Sequence, residues 1–197
     1  MIYESMQILM EQLGGYLTDI GHKTVIELRN IALWDYAKDD DTAMANKLIF
    51  TLVRLEEEVT LKNSPHTRII DNKSEYRNPP VHLNLYVLVS ANFKNYDTSL
   101  ITISKSIEFF QGKNVFTSSN TVFNRDNVTS EFPDEFKFIM EIYSPSFEEL
   151  NNIWGTLGGR QLPSVIYRVQ LIRIESKRKL SESELISNIG GNLKDYK

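Results

Sequence analysis

Residues 81–93 read VHLNLYVLVSANF, and Asn78, Pro79 and Pro80 stand directly before them. Val81, Leu83, Leu85, Val87 and Val89 alternate with His82, Asn84, Tyr86 and Leu88. Successive side chains of a strand point to opposite faces, so this segment has one fully apolar face and one mixed face. That pattern is expected of a central strand whose apolar face lies under helices. A chain built on it must supply further strands as flanks and helices as cover. The two prolines force extended backbone and cannot donate to a ladder. Arg77–Asn78–Pro79–Pro80 therefore reads either as a rigid entry into the strand or as an assembly element.

The rest of the chain supplies both kinds of partner. Ile2, Met6, Leu9, Leu13, Leu17 and Ile20 recur every three or four residues, which predicts an amphipathic helix weakened at Gly14 and Gly15. Residues 25–33 read as a strand, 36–46 as a polar loop with Asp39, Asp40 and Asp41, and 47–63 as a long run of strand composition. The stretch 64–80 has few core residues and is predicted to be an extended, exposed excursion. Asp97 is placed to cap a helix with Leu100, Ile103, Ile107 and Phe110 on its buried face and Gly112 at its end. Residues 113–135 read as irregular. Phe136, Phe138, Met140 and Ile142 share one side of a further strand. In the last strand, 162–176, Val165, Tyr167, Val169 and Leu171 oppose Ile166, Arg168, Gln170 and Ile172. The tail, 177–197, is charged; Ser181 and Glu184 suit the cap of a short helix, and the closing residues are expected to be mobile. The fold class is α+β (mixed α/β): a single sheet covered by helices, one domain over 1–176. Its excursions at 36–46, 64–80 and 113–135 are longer than a minimal fold needs, and long loops usually bind something.

Residues 151–165, NNIWGTLGGRQLPSV, place Gly155, Gly158 and Gly159 within five residues and Arg160 directly after them. A phosphate-binding loop runs from a strand through glycines into a helix. Here the order is reversed. Ser146 and Glu149 have the capping-box spacing of a helix start, and Leu150, Ile153, Trp154 and Leu157 form one apolar stripe. Gly158 then falls where a helix ends in a left-handed residue, and Pro163 prevents further helix. The glycines sit at the negative end of a helix dipole, which repels phosphate. Trp154 is assigned to the core.

Other chemistry is thinly supported. The chain has 197 residues, a net charge of −4 and no cysteine. Thiolate metal sites, disulfides and cysteine nucleophiles are excluded, and the acidic balance argues against an extensive nucleic-acid surface. His22, His66 and His82 have no metal-ligand spacing, and Asp39–Asp41 lack the glycine and distal glutamate of a calcium loop. Glu56 and Glu58 share a face, opposite Glu57, and read as charge protecting an edge strand. No Gly-x-Ser-x-Gly elbow occurs. No catalytic, cofactor-binding or metal residue is assigned. No run approaches the ~18 apolar residues of a membrane span, and the N-terminus lacks signal-peptide pattern, so synthesis in the cytosol without membrane insertion is expected. The competing class is a small α/β enzyme binding an anionic ligand near Arg77 or Arg160.

RNPPVHLNLYVLVSANF, SIEFFQGKNVFT at 106–117 and SFEELNNIWGTLGGRQLPSVIYRVQLI at 146–172 occur in an order and at separations that resemble one family. NIAL at 30–33 and LEEEVTLKN at 55–63 also fit. The family is that of tube-terminator, or cap, proteins of phage-tail-like contractile injection systems of the antifeeding-prophage and virulence-cassette type. Over roughly 1–176, the resemblance implies a fold like phage tail terminators and a structural role without catalysis. It implies a homohexameric ring that ends the inner tube and meets the last sheath layer, with tube and sheath proteins as partners and no nucleic acid. A baseplate or adaptor protein of the same particle is the alternative. The particle, released or membrane-anchored, would follow assembly in the cytoplasm. Interface residues are expected at Tyr3 and Met10 on the first helix, Ile69 and Ile70 in the excursion, Arg77, Asn78, Pro79 and Pro80, and Arg160. Trp154, Gly155, Gly158, Gly159 and Pro163 are expected to be structural.

Overall fold

The structure is a computed structural model and describes residues 1–36, 45–61, 67–70, 73–127, 129, 132–176 and 178–184. The described strands are β1 (Val25–Leu28), β2 (Lys47–Glu57), β3 (Thr67–Ile70), β4 (Lys73–Arg77), β5 (Val81–Asn92), β6 (Val115–Thr117), β7 (Lys137–Tyr143), β8 (Ser164–Ile174) and β9 (Lys179–Glu184). The helices are α1 (Ile2–Asp19), α2 (Tyr96–Gly112) and α3 (Phe147–Thr156). The main sheet is mixed and has the order β1-β2-β5-β8-β7-β6. Only β1 and β2 pair in parallel; the other neighbours are antiparallel. β5 lies inside the sheet, as its pattern requires.

The alternation of β5 divides the core into two layers. Leu85, Val87, Val89 and Ala91 face α1 and α2, where Met6, Leu9, Leu13, Ile103 and Phe110 complete the large layer. Leu88 faces the other way, into a smaller layer with Ile31, Trp154 and Ile166 beneath α3. Helices thus cover both faces. Leu100 of α2 is exposed, unlike the sequence expectation, and α2 buries Ser99, Thr102 and Ser106 beside Ile103 and Phe110. Small residues let α2 lie close to its neighbours, and Ser106 Oγ donates to Thr102 O at 2.8 Å. The N-cap of α2 is Asn95, not Asp97; the Asp97 carboxylate accepts from the Thr98 N–H inside the first turn.

Several other expectations are corrected. The strand expected over 25–33 stops at Leu28, and a 3-10 turn follows over Ile31–Tyr36. β2 stops at Glu57, and a second such turn covers Val59–Leu61. The irregular stretch 113–135 contains β6 and contributes Phe116 and Phe132 to the large layer. Glu11 of α1 anchors that stretch by accepting from Asn124 N–H and Asn127 Nδ2. In β8, Leu83 pairs with Ile172 and Leu85 with Val169, so two residues of β8 oppose one of β5. The bulge resets the alternation. Ile172 therefore joins Tyr167 and Val169 in the large layer, whereas strict alternation places it on the opposite face.

The second sheet has the order β3-β4-β9. The extended, exposed excursion expected over 64–80 is organised as a hairpin of β3 and β4, and one expectation is overturned: Ser181 and Glu184 lie in a strand instead of a helix. The order of this sheet repeats that of β2, β5 and β8, the strands to which each of its own is joined in sequence. Asn78, Pro79 and Pro80 separate β4 from β5, and residues 175–178 separate β8 from β9. Prolines with no N–H to donate end one ladder and begin another. The small sheet is an arm that prolongs the centre of the main sheet. Asp39–Asp41, His66 and the residues beyond 184 lie outside the described residues.

Candidate assembly interface

The arm has an unusual division of side chains. Cross-strand partners share a face, and Thr67 pairs with Tyr76, Ile69 with Ser74, and Tyr76 with Ser181. These residues form one uncharged face. Ile69 is 68% exposed and Tyr76 44%. Glu75, on the opposite face, is buried and holds Arg77, whose Nε and Nη2 donate to its Oε2 at 2.8 and 2.5 Å. Arg77 is thereby fixed at the base of the arm with its charge balanced. Next to it opens a cleft of about 800 Å3, lined by Met1, His82, Phe136, Phe138, Ile172 and Arg173 among others. Asn78 is exposed and Pro79 and Pro80 are half-buried.

On α1 the two expected interface residues part company. Tyr3 is 52% exposed and borders a shallow groove with Ile2, Met6, Leu28 and Leu52. Met10 is buried in the large layer, so it is a core residue and leaves the surface set. The sequence pattern is consistent with this, because Met6, Leu9, Met10, Leu13 and Leu17 fill a wide stripe and not a narrow seam.

At the corner after α3 the capping box is complete. Ser146 Oγ accepts from Glu149 N–H, and Glu149 Oε2 accepts from Ser146 N–H. These bonds hold the Glu149 carboxyl below its usual range. Leu157 caps the other end, and Gly159 N–H donates to Trp154 O at 2.7 Å. Gly158 and Gly159 have φ of +100° and +77°, where a Cβ is strained. Pro163 O then accepts from Ala91 N–H, which seats the chain on β5 at the start of β8. Trp154 is buried as expected, and Gly155 and Arg160 are exposed. Arg160 precedes β8 and Arg77 lies beyond its far end, roughly 35 Å apart along an 11-residue strand. No single anion site brings them together.

The outer face of the main sheet beside α3 is polar. Tyr86 Oη donates to Glu56 Oε2 at 2.8 Å, and Arg168 and Gln170 both donate to Glu141 Oε2 at 2.7 Å. Glu58 accepts from the Thr60 hydroxyl, from Asn84 Nδ2 and from the Thr60 N–H. These bonds hold its pKa down to about 2. Each carboxylate is engaged by neutral or cationic partners of the same face, which is structural pairing. His22 bonds Thr102 Oγ1 at 2.8 Å. Among the described residues, no three His, Asp or Glu side chains gather as metal ligands, and no helix is long and apolar enough to cross a membrane.

The model of the Pvc16 N-terminal domain family matches residues 6–188. The chain belongs to that family. No curated protein sequence matches it. The Pvc16 N-terminal domain described here has the fold of two structures solved by cryo-EM. One is the sheath/tube terminator, in the extended state, of PVC, an extracellular contractile injection system. The likeness has a TM-score of 0.65 at 12% identity and covers 100% of this chain and 64% of that one. The other is the tube-terminating cap of the anti-feeding prophage, with a TM-score of 0.51, 14% identity and 83% and 58% covered. This chain spans less than two thirds of either relative's length.

Of the surface residues singled out in the sequence, the Pvc16 domain structure brings Ile69 and Arg77 into one arm and leaves Tyr3 and Arg160 elsewhere. Tyr76, Ser181 and Leu180 were missed. The signal for them was present: Thr67, Ile69, Ser74 and Tyr76 alternate with charged residues in part of their stretch, but polar strands with so few apolar residues carry little of the periodicity by which strands are read.

Proposed function

We propose that this protein is a structural cap: a hexameric ring that terminates the inner tube of a contractile injection system and contacts the last sheath layer. The observation that carries this reading is the shared fold over the whole chain with a sheath/tube terminator. The surfaces suit the role. A ring needs a contact that closes between successive copies, and a second, different surface for the tube. The arm's uncharged face and the exposed end of α1 around Tyr3 are two candidates for these surfaces. We assign the terminator unit to 1–176, with 177–197 adding β9 to the arm. The protein is assigned to assembly and not to catalysis. Assembly takes place in the cytoplasm, and the protein then remains part of the injection particle.

Negative-stain imaging of particles made without this protein tests the proposal. Tubes of unregulated length, or loss of stable sheathed particles, are the expected result. Normal particles with a uniform tube length would overturn it. Labelling of the protein at the baseplate end of the particle would assign it to the baseplate or an adaptor instead.

A further inference from the structure

The described side chains of the arm form no core of their own. Among its described residues only Glu75 is buried; Ile69, Tyr76 and Leu180 are 68%, 44% and 46% exposed. A three-stranded sheet gains independent stability from a packed apolar face. The arm also has two open edges: among the described residues, no strand pairs with the outer side of β3 or of β9. Open edges are templates for strand addition and are normally covered.

The chain itself offers the matching edge. β3 is antiparallel to β4, and β4 is antiparallel to β9, so β3 and β9 run in the same direction. Rotation about a cyclic axis preserves that direction. A ring contact between β9 of one copy and β3 of the next is therefore parallel, whereas a two-fold contact pairs β3 with β3, or β9 with β9, antiparallel. Charge selects between them. Arg68 is the only charged residue of β3, whereas β9 carries Lys179, Glu182 and Glu184. In net charge β3 carries +1 and β9 −1, so the cyclic contact joins strands of opposite sign, whereas the two-fold β3 contact joins strands of like sign.

We infer that β9 of each copy pairs in parallel with β3 of the next, so that the arms of the ring join into one continuous sheet. This rests on the ring reading above. The uncharged face bearing Ile69 and Tyr76 then becomes one unbroken band around the ring.

The absence of native cysteine makes a disulfide test clean. Within one copy β4 separates β3 from β9, about 9–10 Å at the usual strand spacing. A disulfide needs Cα atoms within about 7 Å, so a bond between β3 and β9 must join two copies. The double variants Ile69→Cys/Ser181→Cys and Ile69→Cys/Ser183→Cys sample two registers. Each is examined as the full chain in assembled particles, after mild oxidation, on a non-reducing gel. Thermal melting confirms that each variant folds. The expected result is a ladder of multimers from at least one double variant and monomers from each single variant. Dimers from Ile69→Cys alone would show a two-fold contact and overturn the inference. So would monomers from both double variants while lysine-directed crosslinking still captures the ring. If lysine-directed crosslinking captures no ring in the wild-type particle, the ring reading itself fails and takes this inference with it.

Discussion

Replacing Trp154 by alanine tests the small core layer on which the α3 corner depends. Trp154 is 4% exposed and packs with Ile31, Leu88 and Ile166, fringed by Leu150, Ile153 and Leu162. Truncating a buried tryptophan costs about 3–5 kcal/mol. Two features place this site at the low end. Among the described residues the layer holds four buried side chains, and its partly exposed fringe can close over the gap. The indole Nε1–H is buried with no hydrogen-bond partner among the described residues, and the alanine variant removes that polar group together with the ring. The expected loss is about 3 kcal/mol. Trp154→Phe keeps most of the ring, removes the unpaired N–H, and should cost less than about 1.5 kcal/mol. Urea titration followed by far-UV circular dichroism reads both, with unchanged slopes confirming a change in stability and not in the denatured state. A wild-type midpoint for Trp154→Ala would refute the core assignment. A Trp154→Phe midpoint as low as that of Trp154→Ala would refute the argument about the unpaired N–H.

The glycines of the corner should separate by backbone conformation: Gly158→Val, at φ +100°, loses about 1–2 kcal/mol or more, whereas Gly155→Ala, helical and with nothing within 4 Å of the added Cβ, gains up to about 1 kcal/mol. Neither change should alter ATP or GTP binding by calorimetry, because the wild-type corner should bind neither. On α1, Met10→Ala should lower stability by about 2 kcal/mol or more, and Tyr3→Ala by no more than about 0.5 kcal/mol, while only the latter leaves a folded protein impaired in particle assembly. The Glu58 carboxyl has a pKa of about 2 against an ordinary 4.5, lowered first by the Thr60 hydroxyl. A depressed carboxyl stabilises the fold above its unfolded value and loses that contribution as pH falls through the folded one. Melting temperature followed from pH 4.5 to 2 should therefore fall less steeply in Glu58→Gln than in wild type.

Much of this architecture was legible because burial leaves a period. β5, the stripe of α1 and the capping box at Ser146 and Glu149 are each read from a spacing that hydrogen-bond geometry or a core face imposes. The failures occur where no such face exists. β3, β4 and β9 bury one described side chain, that of Glu75, so hydrophobic alternation has little to mark. The bulge opposite Asn84 is a backbone event that turns Ile172 to the face of Tyr167 and Val169 without any change in residue type. The exposure of Leu100 and the burial of Met10 depend on how tightly α1 and α2 approach, which a single helix cannot reveal. The surface residues were harder still, since a residue held ready for a partner and one merely solvated look alike in one chain.

The position of β8 sets a constraint on synthesis. It is the last strand of the main sheet to be translated, yet it fills the middle, between β5 and β7. Until residues 164–174 clear the ribosome, the nascent chain holds two half-sheets, β1-β2-β5 and β7-β6, whose facing edges have nothing to pair with. At 5–20 residues per second, about 4–16 s separate completion of β5 from completion of β8. During that interval the apolar edge of β5 is open to the same strand of another nascent copy. The ring proposed above would therefore be built from chains that are sticky before they are finished, and slow initiation or chaperone cover of β5 would raise its yield more than any gain in the stability of the folded protein.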